Sequence, residues 1–237
     1  MNQGNLLPAR WDLSLDVHHK ESAMKIGVIG SGNIGSTVAG LFVTAGHDVV
    51  IANARGPESL AGLVGELGPS AQAGTVDEAA SSCDVVLVAI PYRANTELDP
   101  APFAGKVVID ATNYYPHDFR IAELDRGELS SSEYVARHLA GARLVKAFNT
   151  MQSRRLATLG DTALPEGQRH ALFLCSDDDG AKRQVADLIR QVGFAAVDTG
   201  TLAGGSTLQG AGGPVYNRML TGAEGAAEVA ANGGPAA

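Results

Sequence analysis

Gly30-Ser31-Gly32-Asn33-Ile34-Gly35 lies between a short apolar run, Lys25 to Ile29, and a stretch with apolar residues at helical spacing: Val38, Leu41, Phe42 and Ala45. The G-x-G-x-x-G pattern alone is weak, because glycine is common. A strand before it and a helix after it give it a mechanism. Gly30 lets the chain turn sharply off the strand, Gly32 lets backbone approach a pyrophosphate, and Gly35 lets the helix pack closely. The open N–H groups at the helix start, with the positive end of its dipole, then face the phosphates. A second apolar run, Asp48 to Ala52, completes a βαβ unit and requires parallel strand pairing.

The same alternation continues. Pro57 to Leu67 reads as a helix with proline in its first turn, and Asp77 to Ser81 as a short helix. Strands are predicted at Asp84–Ile90, Lys106–Asp110, Arg143–Phe148, Ala171–Cys175 and Phe194–Asp198. Helices are predicted at Ser131–Leu139, capped by Ser130 or Ser131 before Glu133, and at Asp179–Val192. Such an order implies an α/β fold of the Rossmann type, a doubly wound, mostly parallel sheet with a small C-terminal α/β extension. Ligands in such sheets bind outside the carboxyl ends of the strands, where strand order reverses.

The end of the second strand bears on the cofactor. An NAD-binding chain usually places Asp or Glu there to hold the ribose 2′-hydroxyl. Here the strand runs into Asn53-Ala54-Arg55 with no acid. Asn53 can hydrogen-bond without repelling a dianion. Arg55 can pair with a 2′-phosphate and stack on adenine through its guanidinium plane. NADP(H) is therefore the expected cofactor.

Composition narrows the alternatives. A net charge of −8 with no basic stripe argues against nucleic acid. No apolar run reaches the roughly eighteen residues that a bilayer span needs. The polar start, with Trp11, Asp12, Asp16, His18 and His19, lacks the basic and apolar zones of a signal peptide, so a cytoplasmic protein is expected. The two cysteines, Cys83 and Cys175, fit neither a disulfide framework nor a zinc pattern and read as small buried hydrophobes. No metal site is expected. Residues 1–23 read as an N-terminal extension, 24–150 as the NADP-binding domain, 151–220 as a small part completing the crevice, and 221–237, rich in Ala and Gly, as a disordered tail.

Longer segments carry a resemblance. Met24 to Gly35, Gly46-His47-Asp48-Val49, Asn53 to Leu60, Ala89-Ile90-Pro91, Asp110 to Pro116 and Val145 to Thr150 together resemble the NADP oxidoreductases that use the deazaflavin coenzyme F-420, and their dinucleotide-binding relatives. The likeness covers roughly residues 24 to 200. The family usually has serine where this chain has Ala54, which leaves the 2′-phosphate to Arg55. The resemblance implies hydride transfer between nicotinamide and a flat deazaflavin or flavin-like ring. It implies that Ala89, Ile90, Pro91, Tyr92, Thr112 and Asn113 line the nicotinamide side, and that Ala147, Phe148 and Asn149 close the floor. The amides of Asn113 and Asn149 suit a carboxamide.

Direct hydride exchange between rings needs alignment and a dry site rather than a dedicated base. No catalytic acid–base residue is assigned. No Tyr-x-x-x-Lys pair is present, and Lys146 and Asn149, three apart in a predicted strand, are expected on opposite faces. His47 is expected at the far end of the sheet, and His117 and His138 on the surface. Two other readings stay open: an NADPH-dependent reductase of a small carbonyl or imine, and a non-catalytic NADP(H) sensor. A homodimer is expected, since the thin C-terminal part leaves an apolar crevice to cover.

Overall fold

The computed structural model describes residues 23–235. Its elements, in chain order, are β1 (Lys25–Ile29), α1 (Asn33–Thr44), β2 (Asp48–Ala52), α2 (Ala61–Leu67), β3 (Ala71–Ala73), α3 (Val76–Ser81), β4 (Val85–Val88), β5 (Val107–Asp110), α4 (Ala122–Asp125), α5 (Ser131–His138), β6 (Arg143–Ala147), α6 (Ser153–Leu159), β7 (Ala171–Cys175), α7 (Asp179–Gln191), β8 (Ala195–Asp198), α8 (Leu202–Gln209) and α9 (Gly222–Ala231). The expected 1–23 extension lies almost wholly outside the described residues.

The strands form one eight-stranded sheet in the order β3-β2-β1-β4-β5-β6-β7-β8. Neighbours from β3 to β6 pair in parallel, β7 runs antiparallel to β6, and β8 is parallel to β7. The doubly wound, mostly parallel α/β architecture is thus the observed one. Chain order reverses between β1 and β4, and a crevice opens there at the carboxyl ends of the strands.

Near-continuous apolar strands follow from burial on both faces. Ile26, Val28, Val49, Ile51, Val85 and Leu87 point to one side, where Val38 and Phe42 of α1, Leu156 of α6, and Val185, Leu188 and Ile189 of α7 cover them. Ile29, Val50, Val86 and Val88 point to the other, against Ala79 and Ala80 of α3, Val135 of α5 and Leu202 of α8. Each large apolar side chain buried this way contributes about 1.5–3 kcal/mol. Gly27 lets α3 sit directly on β1, because a Cβ there would strike the Ala79 carbonyl.

The structure departs from expectation in three places. Pro57–Leu60 winds as a 3-10 turn before α2 begins at Ala61. The three-residue edge strand β3 escapes sequence reading, because Ala-Gln-Ala shows neither β-branching nor apolar alternation. The third is a correction to the disordered tail expected over 221–237: within it, residues 221–235 are ordered, and the last two lie outside the described residues. Thr221 and Glu224 form a reciprocal cap, and α9 packs on β7 and β8. Gly225 lies where a Cβ would come 3.2 Å from the Phe173 ring, and Val229 is buried beside Ala171, Phe173, Val197 and Val215. The small residues are there for close packing. Among the described residues no helix is long and apolar enough to cross a membrane, and no cluster of His, Cys, Asp and Glu could hold a metal.

Candidate active site

The glycine loop joins β1 to α1 at the switch point. Gly30 has φ +112°, and a Cβ there would collide with the Ala89 carbonyl at the end of β4. At Gly35 a Cβ would collide with the Gly30 carbonyl, so this glycine lets α1 close onto the loop. Gly32 faces open space, with nothing within 4 Å of a Cβ position. It caps α1 without a side-chain bond, and no acid lies in the first turn. The backbone N–H groups of Asn33, Ile34 and Gly35 stand in the helix positions that have no intrahelical partner.

Asn53 ties this loop to the turn after β2. Its Nδ2 donates to Ser31 Oγ at 2.9 Å and to Ser59 Oγ at 3.1 Å, and its Oδ1 accepts from the Arg55 backbone N–H at 2.8 Å. Arg55 is exposed, and its side chain has no ion pair among the described residues. A cavity of about 530 Å³ runs from Gly30–Gly32 and Asn53–Ala54 to Val76, Ile90 and Ala94. Its outer wall includes Asp77, Glu97 and Asp99, an acidic rim that motif reading did not reveal.

A second cavity, of about 590 Å³, extends past the ends of β4 and β5 and is lined by Asn33, Ile34, Ala89–Arg93, Thr112–Tyr115 and Phe119. Its floor rests on a buried ion pair. Asp110 and Lys146 are both 0% exposed, with Lys146 Nζ 3.1 Å from Asp110 Oδ2. Lys146 also donates to the Thr112 carbonyl at 2.8 Å. Asp110 accepts further bonds from the Thr112 N–H, the Thr112 hydroxyl and the Ser132 hydroxyl. The pair therefore fixes the backbone that presents Thr112 and Asn113.

Phe148 (φ +62°) turns the chain out of β6 and packs edge-on against Phe42. That turn changes the expected relation of Lys146 and Asn149. The strand ends at Ala147, and both side chains reach the Thr112–Asn113 segment from different directions. Asn113 Nδ2 donates to the Asn149 carbonyl at 2.9 Å, and Asn149 Nδ2 donates to Asn113 Oδ1 and to the Gln209 carbonyl, each at 3.1 Å. The two amides clasp each other, and only Asn149 Oδ1 is left buried without a partner. A small cavity of about 190 Å³ lies here, between Ile34, Phe148, Asn149 and Tyr216. Ala147, expected on the floor, is instead sealed within β6 and lines no part of the crevice.

A family model described as "NADP oxidoreductase coenzyme F420-dependent" matches residues 25–114. The F420-dependent NADP reductase of Methanothermobacter thermautotrophicus is 28% identical over 201 residues, covering 77% of this chain and 84% of that one. Residues 25–114 of the chain are thus similar to this family. A solved hypothetical protein from Sinorhizobium meliloti shares this chain's fold at TM-score 0.72 and 36% identity, covering 84% of this chain and 96% of that one. Metalloreductase STEAP3 of Rattus norvegicus is 31% identical over 185 residues, covering 77% of this chain but 35% of that protein. The chain thus spans about a third of the length of the metalloreductases it matches. The family description and the name of the Methanothermobacter relative are those of NADP-dependent oxidoreductases.

Reading of the sequence alone did not single out the Asp110–Lys146 pair, although opposite charges inside two apolar runs were a visible signal. It also missed Tyr115 and Tyr216, which meet at the crevice across 101 residues; nothing in the sequence joins them. His47 is buried at the amino end of β2, accepting from the Met24 N–H and contacting Gln191, far from the crevice as expected. His117 is exposed, whereas His138 is half-buried with its ring 2.8 Å from the Leu98 carbonyl. Both cysteines are free and buried.

Proposed function

We propose that the chain binds NADP(H) along the crevice and passes a hydride to coenzyme F-420 or a flavin-like ring. The adenosine end would lie over Asn53 to Arg55, the pyrophosphate at Gly30 to Gly35, and the nicotinamide near Ile34, Ala89–Pro91, Thr112, Asn113 and Asn149. The observation that carries this reading is the continuity of the glycine loop, the acid-free turn with its unpaired Arg55, and the larger cavity beyond. That cavity offers room beside the nicotinamide for a second flat ring. When bound, NADPH supplies the hydride. The protein's part is to align two rings and keep water away, with Asp110 and Lys146 holding the Thr112–Asn113 wall rigid.

Stopped-flow absorbance after mixing protein, NADPH and oxidised coenzyme F-420 tests the reading. Loss of deazaflavin absorbance at a catalytic rate is expected. Tight NADPH binding without turnover of coenzyme F-420, FMN or a small carbonyl would instead indicate a sensor. The metalloreductase relatives support one further arm, reduction of a chelated metal ion.

A further inference from the structure

Reduction of a conjugated ring by hydride leaves negative charge on a ring heteroatom, which must take up a proton. Three tyrosines line the larger cavity: Tyr92, Tyr114 and Tyr115. The Tyr92 hydroxyl donates to the Ser131 carbonyl at 2.7 Å, and that of Tyr114 to Asp125 Oδ1 at 2.7 Å. Their protons are committed to the protein. Tyr115 differs. Its hydroxyl oxygen lies 2.5 Å from that of Tyr216, and neither has another protein partner among the described residues.

Two phenols bonded to each other hold two hydroxyl protons and use one between them, so one O–H is left to donate outward. Tyr115 lies on the wall shared by the two cavities, and Tyr216 lines the smaller one. The arrangement therefore presents a spare phenolic proton where the two rings would meet. Burial and the contact with Tyr216 raise the Tyr115 pKa, which keeps the phenol protonated in the resting site. Asp118 lines the same cavity and His117 lies 5.6 Å, ring to ring, from Tyr115, both on the exposed loop after it. Lys146 is no competitor, being sealed beneath Thr112.

We propose that Tyr115, backed by Tyr216, protonates the acceptor heteroatom that becomes negative as the hydride arrives. This rests on the hydride-transfer reading above and narrows the acceptor to a class: a conjugated ring whose hydride-receiving atom, carbon in a deazaflavin and nitrogen in a flavin, is in resonance with a second nitrogen or oxygen, as it is also in quinones. The C4–H bond of the dihydropyridine breaks and its electron pair forms the new bond to hydrogen on the acceptor, C–H in a deazaflavin and N–H in a flavin. NADPH is oxidised to NADP⁺ and the acceptor is reduced by two electrons. The heteroatom takes the Tyr115 proton, Tyr216 returns one to Tyr115, and solvent replenishes the half-buried Tyr216.

The test uses the full chain with saturating NADPH and three acceptors, coenzyme F-420, FMN and menadione, in H₂O and D₂O. Wild type is expected to show a solvent isotope effect on kcat. Tyr115→Phe should lose about 10²-fold in kcat, together with that isotope effect, while NADPH affinity stays unchanged. Tyr216→Phe should lose less, because Tyr115 keeps its own proton. Unchanged kcat and isotope effect in Tyr115→Phe would overturn the inference and leave the hydride reading standing. No turnover of any acceptor by a chain that binds NADPH would overturn both. If Tyr115→Phe does not fold, Tyr216→Phe decides, and wild-type rate and isotope effect there refute the relay.

Discussion

Replacing Lys146 with Met isolates what the buried ion pair does. The substitution keeps most of the side-chain volume and removes the charge. Lys146 and Asp110 are both 0% exposed, so Asp110 would be left as a buried carboxylate supported only by Thr112 and Ser132. The Thr112 carbonyl would also lose its donor. Breaking one side of a buried pair costs about 3–5 kcal/mol. In a chain of 237 residues each kcal/mol moves Tm by about 2–4 °C, so a fall of about 6–20 °C is expected. Asp110→Asn combined with Lys146→Met removes both charges and keeps an acceptor for Thr112. This double variant should be more stable than Lys146→Met alone. Urea and thermal unfolding of the four proteins of the cycle measure the coupling. NADPH affinity should fall with Lys146→Met and return in part with the double variant, since the pair supports the Thr112–Asn113 wall. A loss below about 1 kcal/mol, or strictly additive effects, would refute the reasoning.

Four further outcomes are expected. Arg55→Ala should weaken NADPH by about 1.5–3 kcal/mol, the worth of a charged hydrogen bond, and leave NADH nearly unchanged; equal losses in calorimetric titration would remove Arg55 from the 2′-phosphate. Asp178 receives Arg143 at 2.7 and 2.9 Å and the Ala181 N–H at 2.8 Å, which hold its carboxyl well below the usual carboxylate range. Its stabilisation is full above the ordinary carboxylate pKa of about 4 and fades as pH falls toward the depressed value, so Asp178→Asn should show a smaller loss of Tm between neutral and acid pH than wild type. Cys175, its thiol pushed up to about 12 by burial, should resist iodoacetamide at mildly alkaline pH until the protein is denatured; rapid labelling of the native chain would contradict the packing under α8. Val229→Ala should cost about 1–3 kcal/mol, whereas no change would mean that α9 adds nothing to the core.

The alternation of apolar runs with helical spacing was enough to read the doubly wound sheet, because strands buried on both faces are written almost wholly in Val, Ile, Leu and Ala. The glycine loop was legible for a similar reason: only glycine satisfies the backbone at Gly30 and Gly35. The last helix was not, because Gly222, Gly225 and the alanines of α9 signal flexibility in a linear reading and close approach once β7 and β8 are in place. The site was half legible. Residues adjacent in sequence, such as Asn53 and Arg55 or Thr112 and Asn113, were found where the strand ends place them. Contacts made by the fold were hidden, including the Asn113–Asn149 clasp, which consumes both amide donors of Asn149 and one of the two on Asn113. The left-handed turn at Phe148 has no local signature, yet it decides where Asn149 points.

The bond from Asn53 to Ser31 and Ser59 has an evolutionary consequence. Aspartate matches asparagine in shape but carries a negative charge in place of the amide protons; the Ser31 hydroxyl can rotate to donate to it, whereas that of Ser59 would have to leave the Gly56 carbonyl, 2.7 Å away. Asn53→Asp would therefore preserve the brace between loop and turn while placing beside the ribose the acid that selects NAD. Asparagine and aspartate codons differ by one base, so on the proposed reading one point mutation and one re-aimed serine bond separate the two coenzyme preferences.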